Sequence, residues 1–82
     1  METAKKLDRK HIEETLTRLE DGSCGTILRS KGILQDADGK WFEFDYVPGE
    51  FDLRDGTADY TGRIVFIGTD LKEDKIRELF GL

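Results

Sequence analysis

The alternation of apolar and polar residues divides the chain into two helices with four strands between them. Residues 8–20 predict the first helix, because Ile12, Leu16 and Leu19 recur at i, i+4 and i+7 and fall in one stripe. Asp8 has the short acceptor side chain that suits an N-cap, and Leu7 before it is placed to staple onto Ile12. Gly22 stands where a helix end takes up left-handed backbone. Residues 1–6 carry no such period and are expected to fray.

Thr26 to Gln35 reads as a strand, with a bulge expected at Gly32. Ile27, Arg29, Lys31 and Ile33 share one side of it, and Thr26, Leu28, Ser30 and Leu34 the other, unless Gly32 switches the sides. Asp36-Ala37-Asp38-Gly39 is a turn by its chemistry. Lys40 to Val47 then alternates strictly, with Phe42, Phe44 and Tyr46 on one side and Trp41, Glu43, Asp45 and Val47 on the other. Pro48-Gly49 ends that strand, and Glu50 to Arg54 forms a short one carrying Phe51 and Leu53. After a loop over 57–61, Gly62 to Gly68 holds four consecutive apolar residues, which predicts a central strand buried on both faces. Asp70 and Glu73 form a capping-box-like pair before a second helix, whose buried side is Leu71, Ile76, Leu79 and Phe80 and whose end is Gly81. The order α-β-β-β-β-α and the hairpin turns predict an α+β two-layer sandwich. In it a mainly antiparallel four-stranded sheet carries both helices on one face and leaves the other face open.

Length and composition narrow the possibilities. The 82 residues make one domain, 1–82, which buries only roughly 60–65% of its unfolded surface and has little stability to spare for a strained active site. A net charge of −5 argues against nucleic acid, since phosphate binding needs a basic footprint. The acid is concentrated: Asp36 to Asp59 holds eight carboxylates against Lys40 and Arg54. No stretch approaches the roughly 18 apolar residues of a membrane span, and no charged-then-apolar leader opens the chain, so a cytoplasmic protein is expected.

The search for chemistry finds no catalytic constellation. Cys24, the only cysteine, excludes an internal disulfide, and nothing in the spacing calls for its pairing with His11. The Asp36-Ala37-Asp38-Gly39 turn resembles the opening of a calcium loop, but Val47 stands where the bidentate glutamate should be. Gly22-Ser23-Cys24-Gly25 lacks the Gly-Lys-Ser/Thr ending of a phosphate loop. What remains is a surface. Arg29, Lys31 and Trp41 combine residue types enriched at binding hot spots, and they are the candidate partner-binding residues. The plain alternative is that Trp41 covers a sheet edge and the charges keep the surface soluble.

Two segments carry a family resemblance. Thr26-Ile27-Leu28-Arg29-Ser30-Lys31-Gly32-Ile33-Leu34 resembles the Arg-Ala-Lys-Gly strand of the CobW C-terminal domain, with Ser30 in place of the usual alanine. Arg63-Ile64-Val65-Phe66-Ile67-Gly68-Thr69-Asp70-Leu71 resembles that domain's Val-Phe-Ile-Gly strand and the turn into its last helix. The resemblance implies a non-catalytic accessory domain of a GTP-dependent metallochaperone. The family's GTPase activity and its Cys-x-Cys-Cys metal motif belong to an N-terminal P-loop domain, so no catalytic, cofactor or metal residue is carried over to this chain. GTP and a divalent metal would reside in that associated domain. The implied partners are a P-loop GTPase domain, in cis or in trans, or a metalloprotein client, with the chain monomeric on its own. Two other readings stay open: a metal-binding or metal-sensing domain using Cys24, His11 and acidic side chains, and a free-standing oligomerising module.

Overall fold

The computed structural model describes all 82 residues. In chain order the elements are β1 (Glu2–Thr3), α1 (Arg9–Arg18) with a 3-10 turn over Leu19–Asp21, β2 (Thr26–Gln35), β3 (Trp41–Val47), β4 (Glu50–Asp55), β5 (Gly62–Thr69) and α2 (Glu73–Phe80). The strands form one antiparallel sheet in the order β1-β5-β2-β3-β4. The α+β two-layer class is as expected, but the sheet has five strands rather than four. The extra strand lies in the segment expected to fray: Glu2 pairs with Arg63, Thr3 pairs with Gly62, and Met1 exchanges backbone hydrogen bonds with Ile64. Two residues carry too little pattern to announce a strand. They are ordered by the edge of β5, not by their own propensity.

Helix α1 begins as its sequence suggests. Asp8 is extended and accepts from the Lys10 amide, and Leu7 and Ile12 are both buried in the core. Helix α2 begins later than expected. Asp70 has φ 53° and lies outside the helix, whose N-cap is Lys72 without a side-chain cap. The Lys72 amide instead donates to the Cys24 carbonyl, so the turn between β5 and α2 is tied down by tertiary contact. At the far end Gly81 adopts φ 80°, and the Gly81 and Leu82 amides reach the Glu78 and Arg77 carbonyls.

Both helices cover the same face of the sheet. Ile12, Leu16 and Leu19 of the first layer, with Ile76 and Phe80, close over Ile27, Leu34, Phe42, Phe44, Tyr46 and Ile64. The Phe80 ring meets Phe66 edge-on at 5.5 Å. Two buried hydroxyls are satisfied internally: Thr15 donates to the His11 carbonyl at 2.8 Å and Ser30 to the Val65 carbonyl at 3.0 Å.

The bulge of β2 is not at Gly32. Pairing with β5 shifts between Ile27 and Arg29, so Ile27 turns into the core while Leu28 and Arg29 are both exposed. Gly32 is in register, opposite Phe44, and a Cβ there would stand 2.2 Å from Cε2 of the Phe44 ring. The glycine is required by that ring, not by a break in the strand.

Candidate functional site

The face away from the helices is the part of the molecule whose residues are not absorbed into the core. Cross-strand pairing defines its rows, because residues directly opposite one another point to the same side. One row runs Val65, Lys31, Asp45, Asp52, and the next runs Arg63, Ile33, Glu43, Arg54. Arg29 pairs with Ile67 beyond the first row, and Gln35 pairs with Trp41 beyond the second.

Strand β5 departs from its expected burial here. It is an inner strand, yet only Gly62, Ile64 and, in part, Phe66 and Gly68 are covered, and Val65 and Ile67 are 58% and 56% exposed. Leu28 is 54% exposed at the neighbouring bulge. A run of four apolar residues is therefore buried on one side only, which leaves a patch of branched aliphatic side chains on the surface.

Charge divides this face in two. Strands β2 and β5 carry Arg29, Lys31 and Arg63 and no carboxylate, although the chain as a whole has a net charge of −5. Strands β3 and β4 place Glu43, Asp45, Glu50 and Asp52 on this face against Arg54 alone, while Asp55, opposite Phe42, lies on the helix side and meets Arg9. Arg54 is committed to the acidic half, lying 2.8 Å from Asp45, 3.1 Å from Glu43 and 3.3 Å from Asp52. Its guanidinium is held above its ordinary pKa, first by the hydrogen bond to Asp45 and then, against some desolvation, by Asp52 and the charges of Asp45 and Glu43. Arg29 and Lys31 stand 3.9 and 4.0 Å from the other Asp45 oxygen, too far for a hydrogen bond, so their ends remain available. A shallow depression of about 350 Å³ lies between the halves, lined by Lys31, Ile33, Glu43, Arg54, Arg63 and Val65.

The three residues expected at a partner contact all lie on this side, but not together. Arg29 and Lys31 adjoin the aliphatic patch. Trp41 is half-buried at the other end, four residues along β3 from Asp45 and hence roughly 13 Å from the row of Lys31. The members of the expected patch that the sequence reading missed are Val65, Ile67 and Leu28. The signal for Val65 and Ile67 was the uninterrupted apolar run itself, which does not reveal whether a second face is covered, while Leu28 was displaced from the expected alternation by the bulge.

The residues considered for metal are arranged differently. Cys24 is 1% exposed, and His11 is exposed with its Nε2 3.3 Å from the Phe80 carbonyl. No group of three or more histidine, cysteine, aspartate or glutamate side chains is placed to hold a metal ion, so these side chains do not fit a resident metal centre. No helix is long and apolar enough to cross a membrane.

Comparison with known proteins agrees with the fold and its motifs. The family model described as "Cobalamin synthesis protein cobW C-terminal domain" matches residues 1–81. Among solved structures, Zn(II)-bound YjiA GTPase from E. coli aligns at TM-score 0.75 and 26% identity, and a Zn(II)-bound triple mutant of YjiA GTPase aligns at TM-score 0.80 and 24% identity. Each alignment covers 99% of this chain and 27% of the solved one. No curated protein matches.

Proposed function

Because this chain belongs to the family of cobalamin synthesis protein CobW C-terminal domains, we propose that it is a non-catalytic docking module that seats a P-loop GTPase domain on its open sheet face. The observation that carries this reading is the aliphatic patch of Val65, Ile67 and Leu28 beside Arg29 and Lys31. Apolar area flanked by long basic side chains is the composition of an interface core with its rim. The chain spans about a quarter of the GTPase chains it resembles, which supports a GTPase domain as the body that covers the face, in cis or in trans. In this reading GTP and the divalent metal belong to that domain, and this chain supplies contact surface only.

The test is an amide NMR titration of the labelled chain with a CobW-type P-loop domain in its GDP-bound and GTP-bound states. Shifts centred on Arg29, Lys31, Val65 and Ile67, larger in one nucleotide state, are expected. An unchanged open face, with shifts elsewhere or none, would refute the docking surface and would redirect the search to a metalloprotein client.

A further inference from the structure

The open face over β2 and β5 is not flat. The 350 Å³ hollow lies between the row of Arg63 and Ile33 and the row of Val65 and Lys31. A second hollow, of about 300 Å³, lies between that row and the row of Ile67 and Arg29, with Ser30 at its floor. Val65 and Lys31 line both hollows and form the ridge between them. Rows on one face are two extended residues apart, about 6.7 Å, so the hollows are separated by about that distance. Side chains at i and i+4 of a helix, with Cβ atoms about 5–6 Å apart, can straddle such a ridge. An extended segment could span it too, but β2 is hydrogen-bonded to β5 on one side and to β3 on the other. A lone strand laid on this face would find no backbone partners, whereas a helix bonds its own backbone. Strand β5, apolar on both sides, has the pattern of a strand with helices on each face, and α1 and α2 cover only one.

We propose that this ridge seats an amphipathic helix of the partner, with aliphatic side chains at i and i+4 in the two hollows and carboxylates at i+1 and i+5 meeting Arg29 and Lys31. The inference rests on the docking reading above and names the element that docks and its chemistry. Apolar anchors and charges share one helix flank, so both reach the face at once. Asp45 gives one oxygen to Arg54 at 2.8 Å and holds neither Arg29 nor Lys31 within hydrogen-bond distance, so both cations can turn to the helix. The carboxylates of β3 and β4 bound the seat on the far side. A second copy of the chain does not fit it. Stacking patch on patch brings Arg29 and Lys31 onto their own counterparts, and offsetting the faces to pair basic with acidic halves lays Val65 and Ile67 on Asp45 and Asp52.

The probe is an end-capped sixteen-residue alanine-based helical peptide with central leucines at i and i+4 and glutamates at i+1 and i+5, titrated into the labelled 82-residue chain. Saturable amide shifts at Arg29, Lys31, Val65 and Ile67 are expected. The same peptide with lysine for glutamate, and one broken by a central proline, should each bind at least tenfold more weakly. Val65→Glu, at a site 58% exposed, should keep the amide spectrum of the fold and lose the peptide. Equal binding by the lysine or proline peptide, shifts away from this face, or self-association of the chain through Val65 and Ile67 would overturn the helix seat. If the P-loop domain shifts the open face while the acidic helix fails, only this inference falls. If neither binds, the docking reading falls with it. Binding of the helix without the P-loop domain would uphold the seat and overturn that domain as its source.

Discussion

Adding one methyl group at Gly32 tests whether the cross-strand contact with Phe44 sets the identity of that glycine. An ideal Cβ at position 32 lies 2.2 Å from Cε2, 2.7 Å from Cζ and 3.0 Å from Cδ2 of Phe44. Carbon atoms in favourable contact sit about 3.5–4.0 Å apart, so the ring would have to retreat by roughly 1.3 Å or more. Phe44 is 0% exposed and sits among the buried core residues, which must shift with it. Overpacking of this kind costs about 1–3 kcal/mol, and an overlap this deep in a closed core belongs at the upper end. Alanine recovers about 0.5–1 kcal/mol over glycine within a strand. The net loss expected for Gly32→Ala is therefore about 2 kcal/mol, which for a domain of this size lowers Tm by roughly 8–16 °C. Thermal and urea unfolding followed by circular dichroism measure it, with the m-value unchanged. Combining Gly32→Ala with Phe44→Leu should lose less than the sum of the two single losses, by about 1 kcal/mol. A Gly32→Ala chain as stable as the parent, or strictly additive losses, would refute the argument that Phe44 dictates Gly32.

Further outcomes follow from the charges and the burial. Burial of the Tyr46 phenol, helped by the negative charge of Glu20, raises its pKa above the ordinary value. Its contribution to stability is then complete below about pH 10 and is lost as pH rises through the raised folded value; the urea midpoint should fall on this alkaline limb, and less steeply in Tyr46→Phe. Asp59 is held below the usual carboxylate range first by the Tyr60 amide and then by Arg63, so its contribution is present above about pH 4 and is lost as pH drops through the lowered folded value. Neutralising it as Asp59→Asn should flatten the acid limb of the same titration. Arg54→Ala strips Glu43, Asp45 and Asp52 of their shared cation; because these groups are partly exposed, only a small fall in the urea midpoint is expected, larger at low salt and vanishing in molar salt. In binding to a P-loop domain, replacing Arg29 and Lys31 together by alanine should weaken affinity at least tenfold, whereas Trp41→Ala, remote from the aliphatic patch, should change it by less than twofold. The reverse order in a calorimetric titration would place the contact at the Trp41 end.

Local chemistry determined most of the framework. Helical spacing with Asp8 and Leu7 located α1, the turn residues between Gln35 and Glu50 located the hairpins, and strict alternation put Phe42, Phe44 and Tyr46 on the core side. Each of these signals is carried by residues close together in the chain, so each is legible without knowledge of what packs against them. The tertiary structure alone decided the rest. Glu2 and Thr3 became a strand because β5 offered an edge, and the bulge fell at Ile27–Arg29. Gly32 is fixed by a ring on the neighbouring strand, and Gly68 by the Thr26 carbonyl, which a Cβ would approach to 2.0 Å. The candidate surface was legible as far as Arg29 and Lys31, but Val65 and Ile67 were hidden within an apolar run that looked like two-sided burial. Hydrophobicity along a chain records which residues tolerate leaving water; whether a second layer is present to receive them depends on where both helices pack, and here they pack on the same side.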